Sequence, residues 1–207
     1  MVEAYQRRSA LVHFGLNALA TQSASRTDVT KAGVLVGESA HRAIVNIRGD
    51  SANPAFAAAV KSATGADLPA SANTVSSAGE IGILWLGPDE WWVVGPDAQR
   101  AGLIERLRGA LAGQHTAVTD VSESRTVIAI SGLSARAVLM RGISNDLHPR
   151  AFGPGQCAQT SLSKANILLH QTGPDAYEIY ILKSFADYLW RWIGLIAEDF
   201  GLAVRAD

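Results

Sequence analysis

The chain has 207 residues, 48% of them hydrophobic and 18% charged, with 18 Lys+Arg against 19 Asp+Glu and a net charge of −1. That is enough apolar material for a core and too little charge excess for a disordered chain or a phosphate-tracking nucleic-acid binder, and the length allows one large or two small domains. The single Cys157 excludes an intramolecular disulfide and, with two methionines, a thiolate metal cluster, which favours a reducing, cytoplasmic setting.

The N-terminus opens with Arg7-Arg8 and an apolar stretch ending at Ala18-x-Ala20, which loosely resembles a secretory signal. His13 and Asn17 interrupt that stretch, while Leu11, Phe14 and Ala18 recur at a helical spacing suited to a segment lying on another surface. Residues 21–30 are small and polar and read as a surface connection, so residues 1–32 are expected to be a partner-contacting segment and linker. No apolar run reaches the ~20 residues that span a bilayer.

Val34-Leu-Val36 and residues 43–47 read as β-branched strands ending at Gly49-Asp50. A helix follows, with Ser51 as its N-cap, Phe56, Ala59, Val60 and Ala63 on one face and Gly65 as its stop. Residues 81–86 and 91–94 flank the turn Gly87-Pro88-Asp89-Glu90, and a helix opening at Pro96-Asp97 buries Leu103, Leu107 and Leu111 before Gly113.

The second half repeats the order. Residues 116–121 and 126–130 are strands, Gly132 follows as Gly49 did, and a helix capped by Ser134 stops at Gly142. Residues 167–169 and 177–180 flank Gly173-Pro174-Asp175, the same turn chemistry as Gly87-Pro88-Asp89. A long helix from Ser184 closes the copy, with Asp187 at the capping-box position and Phe185, Tyr188, Leu189, Trp192, Ile193 and Ile196 on one face. The expected fold is therefore α+β, two similar lobes from an internal repeat over residues 33–114 and 115–207, each an antiparallel sheet covered by two helices.

Few residues suggest chemistry. Cys157, in Gly153-Pro-Gly-Gln-Cys157, lacks the basic partner or helix N-terminus that would activate a thiol and reads as a small buried hydrophobe. His148 could be a base held by Asp146, though such pairs are common in turns. His13, His41, His115, His148 and His170 are mutually isolated, without metal-ligand spacing, and the 19 glycines form no nucleotide-binding loop.

Five tryptophans remain to be explained. Adjacent Trp91 and Trp92 must point to opposite sheet faces, and Trp190 lies off the main stripe of its helix. Either the first sheet is buried on both faces within this chain, or Leu11, Phe14, Trp91 or Trp92, and Trp190 belong to a partner interface.

The strings Trp85-Leu-Gly-Pro-Asp-Glu-Trp91, Thr119-Asp-Val-Ser-Glu-Ser-Arg-Thr126, Asp146-Leu-His-Pro-Arg-Ala-Phe152, Gln156-Cys-Ala-Gln-Thr160 and Ser184-Phe-Ala-Asp-Tyr-Leu-Trp190, with Arg8-Ser-Ala-Leu11, resemble the sarcosine oxidase gamma subunit family. The resemblance spans nearly the whole chain; residues 69–79 carry none of it. It implies a cytoplasmic complex with alpha, beta and delta chains that demethylates sarcosine to glycine, passes the one-carbon unit to tetrahydrofolate and forms hydrogen peroxide. FAD, FMN, NAD, tetrahydrofolate and zinc are implied for the partner chains and none for this one, which is expected to be inactive alone, with no catalytic, cofactor or metal residue of its own. The lobes are also similar to the aminomethyltransferase-type folate-binding fold. No pterin-binding carboxylate can be matched, which leaves Asp120, Glu123 and Asp146 as those to inspect for a freestanding folate-binding role.

Overall fold

A computed structural model describes residues 7–26, 28, 29 and 31–206. A 3-10 turn at Val12–Phe14 leads into α1 (Leu16–Arg26). The first repeat is β1 (Val34–Ser39), β2 (Ala43–Arg48), α2 (Pro54–Thr64), β3 (Val75–Ala78), β4 (Ile81–Gly87), β5 (Glu90–Gly95) and α3 (Arg100–Ala110). The second is β6 (Ala117–Asp120), β7 (Arg125–Ser131), α4 (Ala135–Met140), β8 (Gln156–Leu162), β9 (Ala165–Gly173), β10 (Ala176–Leu182) and α5 (Lys183–Ala197), after which β11 (Leu202–Val204) is added.

The fold is α+β with two sheets, as the repeat predicts, but the strands are dealt differently. One sheet has the order β3-β4-β5-β2-β6 and the other β8-β9-β10-β7-β1-β11. Each repeat therefore gives its first strand to the other repeat's sheet: β1 pairs with β7, and β6 pairs with β2. The expected division at residues 114/115 is thus not a boundary between sheets. All pairings are antiparallel except β1 with β11, which is parallel.

The turns show why the halves match. Pro88-Asp89 and Pro174-Asp175 form two-residue connections between paired strands, Gly87 opposite Glu90 and Gly173 opposite Ala176. The Asp89 carbonyl accepts from the Gly49 amide at 3.1 Å, and the Asp175 carbonyl accepts from Gly132 at 3.0 Å. Gly132 has φ +112°, and a Cβ there would lie 2.5 Å from the Gly33 carbonyl oxygen, so no larger residue fits.

Among the described residues, three apolar clusters form the interior. The first sheet packs on α2 and α3 through Val45, Ile47, Ile83, Trp91, Phe56, Val60, Leu103 and Leu107. The second packs on α4 and α5 through Ile128, Ile179, Val138, Leu139, Leu189 and Ile193. The opposite sheet faces meet in a third cluster of Ile44, Leu84, Trp92, Val94, Val127, Cys157, Leu168 and Tyr180. The two sheets thus lie back to back with helices outside, and both faces of β5 are buried.

Several boundaries differ from the sequence reading. The α2 cap is Asn53, whose side chain accepts from the Ala55 amide, with Pro54 at the first helical position. Ser134 and Leu182 make no side-chain cap bond for α4 and α5, and Asp187 pairs with Arg191 and His13 instead. Residues 69–79 contain β3, and the 21–30 connection is helical as far as Arg26; Thr27 and Thr30 lie outside the described residues, as do residues 1–6 and Asp207.

Candidate functional site

Three places where the repeats cross hold carboxylates shielded from solvent by partners. In the first, Asp120 at the end of β6 and Glu123 just beyond it meet Arg100 from α3, Arg7 and Lys183 from α5. Arg100 reaches Asp120 at 2.7 Å and Glu123 at 2.5 Å. Arg7 bridges Asp97 at 2.6 Å and Glu123 at 2.7 Å, and Lys183 lies 3.1 Å from Glu123. Burial alone would raise the Glu123 carboxyl; hydrogen bonds from Arg100 and Lys183, with the charges of Lys183 and Arg7, outweigh it and bring the group down to about 2. Burial opposes ionisation of Asp120 too, and hydrogen bonds from Ser122 and Arg100 lower it. Both carboxylates are locked ionised, as struts between lobes and not as proton carriers near neutrality.

The second place is the repeat-related one. Glu38 pairs with Ile128 and Asp120 with Val45, residues that each precede the matching glycines, Gly132 and Gly49, by four positions. Glu38 and Asp120 thus occupy equivalent ends of the exchanged strands. Glu38 is 2% exposed and accepts from the Thr126 hydroxyl at 2.6 Å, the Ala10 and Leu11 amides at 3.2 and 3.3 Å, and the Ser9 hydroxyl. Four donors replace its water shell, which is what burial of a carboxylate requires.

The third lies on the face of the second sheet that meets the first. Glu178 on β10 stands opposite His170 on β9, with Tyr180 two residues on. The Tyr180 hydroxyl donates to Glu178 at 2.6 Å, and His170 and Arg42 approach at 3.6 and 3.5 Å. Burial would raise Glu178, but the His170 and Tyr180 contacts and the Arg42 charge lower it; burial and the Glu178 charge push the Tyr180 phenol well above 10. Tyr180 therefore stays protonated, as a hydrogen-bond donor. Nearby, the Arg125 guanidinium lies 4.7 Å from the Trp92 ring centre, a cation–π contact, and burial lowers its pKa.

Cys157, on β8, is completely buried, its sulfur 3.3 Å from the Trp85 carbonyl oxygen, and burial pushes the thiol up to about 12. It is a small core residue. Asp146 accepts from the His148 amide, and His148 in turn accepts from the Arg150 amide, so this pair builds a surface turn. Among the described residues no group of three His, Cys, Asp or Glu side chains could hold a metal ion.

The residues singled out for a partner are used internally. Trp91 is fully buried against Phe56, with its indole N–H donating to the Pro69 carbonyl at 3.0 Å. Trp92, 5% exposed, fills the space between sheets beside Tyr180. Leu11 is fully buried in the second core, Trp190 is 8% exposed, and Phe14 lies between Trp190 and the Arg191 guanidinium. The chain thus buries both faces of its first sheet, and Leu11, with the partly buried Ala10, Phe14, Leu16 and Leu19, packs on the second core. Sequence reasoning missed Glu38 and Glu178, because a lone Glu in a strand signals nothing until its partners, remote in sequence, are known.

The comparisons with known proteins agree on one relationship. A family model described as "Sarcosine oxidase, gamma subunit family" matches residues 48–198. The chain is 36% identical over 137 residues to the sarcosine oxidase subunit gamma of Arthrobacter sp., covering 66% of each chain, and 35% identical over 149 residues to that of Corynebacterium sp. strain U-96, covering 70% of this chain and 71% of the relative. Among solved structures it superposes on a chain of the heterotetrameric sarcosine oxidase from Corynebacterium sp. U-96, determined with pyrrole 2-carboxylate, with a TM-score of 0.82, 30% identity and coverage of 94% and 96%. Glycine cleavage system aminomethyltransferase T from Bartonella henselae shares the fold at 15% identity, with a TM-score of 0.64 over 91% of this chain and half of that one. With its duplicated, strand-exchanged lobes and its match across the greater part of the sequence, the chain belongs to the sarcosine oxidase gamma subunit family.

Proposed function

We propose that this chain is the structural gamma subunit of a heterotetrameric sarcosine oxidase, assembling with alpha, beta and delta chains that carry FAD, FMN, NAD, tetrahydrofolate and zinc, and contributing to assembly and stability in the cytoplasm. The observation that carries this reading is the superposition over 94% of its length on a chain of a heterotetrameric sarcosine oxidase. The site chemistry supports it: Asp120, Glu123 and Glu178 are held ionised by basic neighbours, and Cys157 is a buried thiol. Co-expression with the three partner chains is expected to yield a stoichiometric complex that forms peroxide from sarcosine, while the isolated chain is colourless and makes none. Turnover by the isolated chain overturns the proposal.

A freestanding folate-binding one-carbon protein is the competing reading, drawn from the fold shared with aminomethyltransferase T. It needs a free carboxylate for the pterin, whereas Asp120 and Glu123 are in ion pairs and Asp146 closes its own turn. Titration calorimetry of the isolated chain with tetrahydrofolate distinguishes the two; micromolar binding supports the competitor.

A further inference from the structure

The two sheets are built alike except at one edge. In the second sheet the strand received from the other repeat, β1, is followed by β11, whose Leu202, Ala203 and Val204 run parallel to Val34, Leu35 and Val36. In the first sheet the received strand, β6, is the last among the described residues. The register shows which of its groups face outward. The Val121 amide donates to the Ile44 carbonyl at 2.9 Å, so along an antiparallel ladder Thr119 and Ala117 also face β2, and the N–H and C=O of Val118 and Asp120 point away from it.

Val118 is the repeat-equivalent of Val36: they pair with Ile47 and Ile130, each two residues before its glycine. The Val36 carbonyl accepts from the Arg205 amide at 2.9 Å, a bond within the β1–β11 seam. The side-chain seat is repeated too. Val36 lies with Trp190, Leu202 and Val204 beneath Leu19 of α1, whereas Val118 and Ile104 of α3 stay half-buried at the margin of the first core. The edge is short, at four residues, but Ala117-Val-Thr-Asp120 carries no Lys, Pro or bulge, and the Asp120 charge is neutralised by Arg100.

We propose that the outer edge of β6 is the docking seat for an extended segment of a partner subunit, three or four small or aliphatic residues like Leu202-Ala203-Val204, which joins the first sheet as a sixth strand parallel to β6. Backbone groups of Val118 supply the pairing, and Ile104 and Val118 supply the apolar shelf. The inference rests on the heterotetramer reading of the chain.

Amide hydrogen exchange on the chain alone and in the co-expressed complex tests it. Assembly is expected to slow exchange at Val118 and Asp120 by ~10-fold or more, with Ala117 and Thr119, already bonded to β2, changing less. Val118→Pro, which deletes an outward donor without removing a β2 bond, is expected to weaken assembly by ~10-fold while the isolated variant keeps a cooperative thermal transition. If the wild-type complex forms but exchange at Val118 is unchanged, this inference fails and the family role stands. If no complex forms, both fail. Protection at Val118 that rises with the concentration of the isolated chain gives the seat to a second copy and overturns the assignment to a partner subunit.

Discussion

Trp91 and Trp92 show what one position along a strand decides. Neighbouring side chains on β5 enter different cores, one beneath α2 and one between the sheets. Truncating either to Ala is expected to lower unfolding stability by about 3–5 kcal/mol in urea titrations, since each leaves a large cavity. The ion pairs act through pH. Because the folded Glu123 pKa is depressed from 4.5 to about 2, its contribution is present above pH 4.5 and is lost as the pH falls toward 2; the lowered Asp120 has the same sign. Melting temperatures measured from pH 6 to pH 2 should therefore fall less steeply for Glu123→Gln than for wild type. Cys157 is expected to resist Ellman's reagent at pH 8 in the native state and to react once the chain is unfolded, because its thiol is pushed up to about 12 and shielded.

At the level of the element, the N-terminal segment shows how much a helical spacing leaves open. Its spacing of Leu11, Phe14 and Ala18 marks an apolar face but not the surface that receives it. Glu38 answers that question by accepting from Ser9, Ala10 and Leu11, and Ser23 extends the tie to β11 through the Val204 amide. Deleting residues 1–20 is accordingly expected to destabilise the second lobe, lowering its melting temperature and shifting Trp190 fluorescence toward the red as Phe14 leaves. Leu11→Ala alone should cost about 2–5 kcal/mol. The hairpins were legible because Gly-Pro-Asp states its turn chemistry locally. β3 was not, since Val75-Ser-Ser-Ala78 is polar and its pairing with β4 supplies the stability that its composition withholds.

The whole molecule is defined by the reciprocal exchange of β1 and β6. Fragments 33–114 and 115–207 each hold one strand that belongs to the other's sheet, so neither is expected to fold alone, while co-expressed together they should recover native circular dichroism. By itself the sequence determined the α+β class, the duplication, both hairpins and the faces of α2 and α3, because periodicity and turn residues act over a few positions. On α5 it placed Leu189 and Ile193 but not Ala186, Trp190 and Ala197, and Phe185, expected inside, is exposed. It also carried the family, through strings spread along the chain. Only the tertiary structure decided which sheet each first strand joins, that Trp92 and Leu11 face inward, and that Glu38 and Glu178 are satisfied in the interior. Those outcomes depend on contacts between residues far apart in the chain, where burial and hydrogen-bond satisfaction are settled by the assembled layers and not by neighbours in sequence.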